Sequence, residues 1–414
     1  MLKKTIAALS LLSIFAACQN DENETPQPEP KPRKDISLTR AEQEMLEAGT
    51  DFAFHFFGQV CSTEARKPNV FVSPLSASLC LSMITNGAWG NTLTEMQDVL
   101  GFPAASFSLD DLNNYNRKLT TALLDLDNTT QLGIANSIWV KQGFKVFDSF
   151  VDVNKKKYDA RVQELDFASP KAKDVINQWC AEQTNNCIKK VIEEIPEDAR
   201  MYLINALYFK GIWRSQFRKS DTRQENFTNS DGIERKVNMM NQTGTFNYVH
   251  NTAFAIAELP YGNEAFSMVV LLPAEGKTLD ESLAELTSGN WKEWGESLYG
   301  RELQVKLPRF KVEYDKSLIG DMVAMGMQDA FDKHRADFSK MSEENLFIGL
   351  LQQFTYVNVD EEGTEAAAVT IGGMMTTSVG PSTPIPFYVD RPFAFMIKEK
   401  STGAILFMGK ITEL

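Results

Sequence analysis

Three histidines, His55, His250 and His334, are the imidazole bases that 414 residues offer for acid–base or nucleophilic work. No HExxH pair, GxSxG elbow or GxGxxG turn surrounds them, so a hydrolase would have to assemble base and nucleophile without any local motif. His55 lies in an apolar helical stretch and is expected at an interior or boundary position; His334, between Lys333 and Arg335, is expected in solvent. Gly276-Lys277-Thr278 has the ending of a phosphate-binding loop, but Leu271 stands where the earlier glycine is required, which leaves a turn after a strand. Cys61, Cys80, Cys180 and Cys187 follow no CxxC spacing. On one predicted helix Cys180 and Cys187 would lie about 10 Å apart, beyond disulfide reach. Buried free thiols are therefore expected, with no metal and no cofactor. The run Val359-Asp360-Glu361-Glu362-Gly363-Thr364-Glu365-Ala366-Ala367-Ala368 leads into a polar, Gly-containing stretch, 372–384. Surface loops are rich in turn formers throughout, yet the first half of this one consists of small residues equally suited to a strand.

A chain with 43% hydrophobic and 23% charged residues can bury a large core, and a formal charge of −13 argues against a nucleic-acid partner. Lys3 and Lys4 precede an apolar run, 6–17, of signal-peptide length and too short to span a membrane. It ends Ile14-Phe15-Ala16-Ala17-Cys18, which resembles a bacterial lipobox, with Phe15 departing from the commonest form. The following Gln19-Asn20-Asp21-Glu22-Asn23-Glu24 is similar to the surface-export signal of Bacteroidetes lipoproteins. The resemblance implies removal of residues 1–17, a lipid on Cys18 and an outer-membrane protein, cell-surface exposed or secreted; a plain secretory signal containing Cys is the other reading. Pro alternating with charged and polar residues over 25–34 predicts an extended tether. Residues 18–36 form that tether, and one domain, 37–414, follows.

Within the domain, Thr39 and Glu42 form a capping box ahead of Met45, Leu46, Gly49, Phe52, Ala53, Phe56 and Phe57 at helical spacing. Thr92 and Glu95 repeat the capping signature before a helix ending near Gly101. Ser169-Pro170 predicts a further helix with Val175, Ile176, Trp179, Ile188 and Val191 on one face. Strands are predicted over 133–140, 203–213, 253–260, 266–272, 303–314 and 354–359, with a hairpin pairing 393–397 and 405–409. Helices early and strands late favour an α+β fold.

Five further segments carry a resemblance. Asn69-Val70-Phe71-Val72-Ser73-Pro74-Leu75-Ser76, Asn86-Gly87-Ala88, Asn205-Ala206-Leu207-Tyr208-Phe209-Lys210-Gly211-Ile212-Trp213, Leu307-Pro308-Arg309-Phe310 and Asp390-Arg391-Pro392-Phe393 occur in the order of the serpin family. With the run from Val359, the likeness covers Leu38 to Leu414. It implies a serpin fold: a large, mostly antiparallel central sheet with further sheets, eight or nine helices and an exposed reactive-centre loop. The implied function is not enzymatic. A monomeric suicide inhibitor would form a covalent acyl-enzyme with an endopeptidase, serine or also cysteine type, and trap it by inserting the cut loop into the metastable sheet. Glu361, Gly363, Thr364, Glu365, Ala366, Ala367 and Ala368 then form the hinge. Ser73, Ser76 and Asn205 resemble the shutter under the sheet, with Gln353 where many relatives carry His, and Trp213 and Glu361 resemble the breach at its top. The plain alternatives are a helix start around Pro74 and core packing of Trp213.

Alternation puts Thr364, Ala366, Ala368, Thr370 and Gly372 on one strand face, without charge or bulk, as a packed sheet interior requires. Counting from Glu361 at the family's spacing places the scissile bond between Thr377 and Ser378. The loop is about four residues longer than in many relatives, so Met374, Met375, Thr376 and Val379 stay in play and counting from Pro392-Phe393 moves the cut toward Pro381. No Lys or Arg occurs over 374–379, which favours elastase- or subtilisin-like proteases, chymotrypsin-like ones second. A non-inhibitory surface-binding lipoprotein of the same fold is the alternative.

Overall fold

The computed structural model describes residues 31–364 and 383–414. Among them are helices α1 (Arg40–Thr63), α2 (Pro74–Thr85), α3 (Gly90–Val99), α4 (Leu109–Leu124), α5 (Asp148–Tyr158), α6 (Ala172–Gln183), α7 (Leu279–Leu283), α8 (Ser288–Glu296) and α9 (Ile319–Met325). The strands are β1 (Asn69–Val72), β2 (Gln131–Lys141), β3 (Arg161–Leu165), β4 (Met201–Ile212), β5 (Arg223–Thr228), β6 (Glu234–His250), β7 (Phe254–Pro260) and β8 (Phe266–Pro273). They continue with β9 (Tyr299–Pro308), β10 (Phe310–Ser317), β11 (Gln352–Val359), β12 (Gly363–Thr364), β13 (Ile385–Tyr388), β14 (Phe393–Glu399) and β15 (Ile405–Ile411). One sheet runs β1-β15-β14-β8-β7-β6-β9-β13 with β5 on β6, the other β10-β11-β12-β4-β2-β3. Pairing is antiparallel except for β13 on β9 and β3 on β2. The fold is thus α+β, and the six-stranded sheet is the one that carries the hinge.

The capping box of α1 forms as its sequence predicts, with the Thr39 and Glu42 side chains each accepting from the other's backbone N–H. Phe52 and Phe56 stack at 5.6 Å on the core side, which turns His55 outward; it is exposed, not interior. Thr92 and Glu95 do not cap α3, whose N-cap is Trp89 without a side-chain bond. Instead Thr92 Oγ1 accepts from Asp337 N, and the Glu95 carboxylate accepts from Gln328 N and Asp329 N. The pair caps a neighbouring segment across space.

The predicted strand 303–314 is two strands in two sheets. Pro308 has no N–H to extend the ladder, and Arg309, between β9 and β10, donates its own N–H to Asn238 O at 2.8 Å. The chain swings from one sheet to the other at this single residue. Likewise α6 ends at Gln183, so Cys187, Ile188 and Val191 lie beyond it, and Val175 faces out. Asn185 and Asn186 take left-handed φ of 49° and 63°, a conformation Asn tolerates, and the chain doubles back. Asn177 holds it there: its Oδ1 accepts from Val191 N and Ile192 N, and its Nδ2 donates to Ile192 O, all within 2.9 Å.

Strands β8, β14 and β15 are buried at every position and anchor the main core. A second, separate core lies between α6 and the six-stranded sheet, built on Trp139, Phe167, Ile176, Trp179 and Tyr202, with the two indoles edge to face at 6.0 Å. The segment 31–39 has no regular structure yet is pinned. Lys31 N donates to Asn128 Oδ1, Asn263 Nδ2 donates to Lys31 O, and Ile36 N donates to Ser401 Oγ.

Candidate functional site

After β11 the chain turns sharply. Asp360 Oδ1 accepts from Glu362 N and Gly363 N, and Asp360 N donates to Gly363 O. The turn threads β12 between β11 and β4, pairing Thr364 with Val359 on one side and Gly211 on the other. Gly363 is required by contact, because a Cβ there would lie 2.0 Å from Gly211 O. The Thr364 hydroxyl meets Tyr261 OH at 2.6 Å, and the Tyr261 ring stacks on Trp213 at 4.5 Å. Trp213 also donates Nε1–H to Asp360 O and its backbone N–H to Glu362 O, both at 2.9 Å. Glu361 is 1% exposed and receives Arg309 Nε–H at 2.9 Å and the Thr222 hydroxyl. Burial pushes its carboxyl up, but the Arg309 and Thr222 hydrogen bonds outweigh it and hold the group below the usual range. Neighbouring Asp360 moves the other way, because burial dominates there.

Below Thr364, β4 and β11 are not paired with each other among the described residues. They flank a cleft of about 680 Å³ floored by Ser76, Ala77 and Cys80 of α2 and reaching Ile188 and Val191 beyond α6. The polar side chains of each wall bond away from the opposite wall. Gln353 of β11 accepts from Ser73 N at 2.9 Å and donates to Ser73 O at 2.8 Å. Ser73 caps α2 by accepting from Ser76 N and donates to Leu406 O. On the opposite wall Asn205 donates to Asn136 Oδ1, and Asn136 donates to Tyr158 O, both at 2.7 Å. Asn205 Oδ1 is buried without a partner. Cys80 and Cys180 line the same cleft, and burial pushes both thiols up to about 12, so neither is a nucleophile at neutral pH. The arrangement can accept an extended backbone between its walls.

Thus Glu361, Gly363, Thr364 and Trp213 come together at one end of the cleft, and Ser73, Ser76, Gln353 and Asn205 around its middle, with Asn205 bonded to neither Ser73 nor Gln353. Glu365, Ala366, Ala367, Ala368, the residues from Met374 to Val379, and Cys18 lie outside the described residues. Tyr261, Thr222, Arg309 and Asn136 escaped sequence reasoning as site residues. Arg309 had a signal in its Leu-Pro-Arg-Phe setting; the others sit in strands or turns whose partners are remote in sequence. His250 and His334 are exposed, and among the described residues no His, Cys, Asp and Glu group could hold a metal.

A sheet left open beside a half-entered strand belongs to a recognisable class of protein. Residues 47–414 match the serpin (serine protease inhibitor) family, and the chain is a member of it. It is 34% identical over 377 residues to Serpin B6 of Macaca fascicularis, covering 89% of this chain and 99% of that one. It is 32% identical to the leukocyte elastase inhibitor of Equus caballus, covering 89% and 99%. An uncharacterized serpin-like protein of Thermococcus kodakarensis is 32% identical, with 99% of both chains covered. Among solved structures, the thermophilic serpin tengpin in its native state superposes with a TM-score of 0.82 at 30% identity, over 94% of this chain and 98% of that one. Human thyroxine-binding globulin gives 0.81 at 26% identity, over 90% and 99%.

Two outcomes are expected at the hinge. Because the Glu361 carboxyl is held low in the folded state, its contribution is complete above the ordinary value of 4.5 and is lost as pH falls through the lowered one. Trp213 emission should therefore change on acidification below pH 4.5, and change less over that range in Glu361→Gln, where Asp360 still titrates. In Gly363→Ala the added methyl cannot share space with Gly211 O, so β12 should leave the sheet, read as faster proteolysis near Thr364 and a changed Trp213 emission at neutral pH.

Proposed function

We propose that this serpin is an irreversible suicide-substrate inhibitor of serine endopeptidases, with cysteine endopeptidases as further targets, and not an enzyme. The observation that carries the reading is β12 seated at the head of a strand-wide cleft, in register with both walls. Continuing that register sets residue 366 between Val357 and Phe209, residue 368 between Thr355 and Leu207, and residue 370 between Gln353 and Asn205. Ala366 and Ala368 bring no bulk or charge to those levels. Thr370 brings a hydroxyl to the level where Asn205 Oδ1 lacks a donor. Leaving that acceptor unsatisfied in the open form and satisfied in the filled form favours insertion.

In the inhibitory reaction the protease serine oxygen adds to the carbonyl carbon of Thr377. The C–N bond to Ser378 breaks, and the new amine leaves with a proton from the protease histidine. An ester remains. Insertion from Thr364 to Thr377 then carries it roughly 45 Å, and distortion of the protease's oxyanion hole stops water from finishing the hydrolysis. The native state is kinetically trapped until the cut. Apolar and small residues around Thr377 favour elastase- or subtilisin-like targets, and similarity to a leukocyte elastase inhibitor supports that preference.

Pancreatic elastase mixed with the protein lacking its first 34 residues should give an SDS-resistant adduct and a released peptide beginning at Ser378. Thr370→Arg should be cleaved equally fast yet give no adduct, because a guanidinium would have to enter the interior unpaired. Cleavage without adduct by the parent, repeated with subtilisin-, chymotrypsin- and papain-type proteases, would leave the non-inhibitory binding role.

Residues 1–17 are further proposed to be removed and Cys18 lipidated, with 18–36 tethering the domain, 37–414, at the outer membrane surface. Radiolabelled palmitate should enter the wild-type protein and not Cys18→Ser; equal labelling of both would exclude the anchor.

A further inference from the structure

We infer that the foot of the cleft is a binding site for an uncharged, elongated apolar molecule that carries a hydroxyl or N–H donor at one end. The site is made of walls, floor and cover alone and stands independently of the inhibitor reading. Its foot is the end away from β12, where residues 345–351 lead into β11 and 198–200 into β4. Phe347 and Leu350 line one wall there, Met201 and Leu203 the other. Cys80 and Ile84 of α2 form the floor, and Ile188 and Val191, beyond α6, the cover. The stretch is held in place by Ile348 N donating to Ala330 O and Leu318 N to Leu351 O, with Ile348 and Leu351 buried. Phe347 and Leu350 remain 43% and 46% exposed, and the surface they leave bare faces the cleft. Bare apolar surface in a concave site gains by being covered. At about 680 Å³ the cleft has the size of a small-molecule site.

Two features set the chemistry of the occupant. Asn205 Oδ1, on the β4 wall, is buried with no donor, while Nδ2 of the same amide is spent on Asn136. Gln353, Cys80 and Thr184, on the same lining, are already bonded to the protein. A ligand group that pairs with the Asn205 oxygen must donate. The charged groups of the lining are Glu194, Asp198, Arg200 and Glu344, three carboxylates to one guanidinium, and Arg200 is already shared between Glu344 at 3.5 Å and Asp198 O. An anion is repelled by that rim, and a cation would have to leave exposed carboxylates to enter an apolar compartment. The occupant is therefore uncharged. Its length follows from the register: Asn205 is level with Gln353, so Leu350 lies three residues nearer the foot, about 10 Å along the strand direction. The donor sits at Asn205 and the apolar end against Phe347 and Leu350.

The test is equilibrium dialysis of the protein against radiolabelled 1-decanol, with decyl methyl ether, which cannot donate, and decanoate, which is charged, as competitors. Decanol should bind saturably, one molecule per chain. The ether should compete about five-fold less well, for want of one uncharged hydrogen bond, and decanoate at least about ten-fold less well. Leu350→Arg, which brings a charge to the foot, and Val191→Trp, which fills the compartment from the cover, should each weaken decanol at least about ten-fold. Ile233→Arg, at an exposed position before β6, should bind as the parent does. In Asn205→Ala alcohol and ether should bind alike. Binding that does not saturate, or that survives both Leu350→Arg and Val191→Trp, overturns the site. Equal affinity for alcohol and ether in the parent overturns the role of Asn205 and gives its Oδ1 to water, and tighter binding of decanoate overturns the uncharged class.

Discussion

The six-stranded sheet is joined at one end by two residues. Gly363 and Thr364 bridge β11 and β4, and below them the two walls part. Everything else in the region follows from keeping that junction while leaving the rest unpaired. Trp213 and Tyr261 back the junction with stacked rings, Arg309 neutralises the Glu361 carboxylate that would otherwise be stranded in the interior, and Gln353 ties its wall to the start of α2 rather than to the opposite wall.

The energetics of such a junction are asymmetric. Backbone groups facing an open cleft forgo ladder bonds, each worth about 0.5–1.5 kcal/mol net, and a sheet normally gains them over its full length. Here Gln353 and the Asn205 amide group are bonded to neighbours outside the cleft, with Asn205 Oδ1 left over, so the walls can separate or accept a strand without dismantling an interlocked apolar layer. The cost is instead concentrated at the head, where aromatic rings and the ion pair between buried Glu361 and partly exposed Arg309 must stay assembled for the hinge to remain seated.

Much of this was legible in the residues. The Thr39–Glu42 cap and the hairpin of β14 and β15 are local patterns, and local patterns are what a sequence displays. Thr92 and Glu95 show the limit: the motif was real, but its hydrogen bonds go to another segment. The strand 303–314 divided because Pro308 and Arg309 interrupt a ladder that hydrophobic periodicity alone does not register. Asn136 and Tyr261 were invisible as site residues because their partners lie 69 and 103 residues away.

The second core under α6 decides what that helix is fastened to. Trp139, Trp179 and their neighbours form an apolar cluster distinct from the main one, and Asn177 rivets the returning segment to the helix. Helix and returning segment are therefore tied to one another and to the six-stranded sheet, apart from the core that holds β8, β14 and β15. The cover turns back at two left-handed asparagines and rests on the sheet through eight buried side chains, of which Trp139, Tyr202 and Ala206 come from the sheet itself.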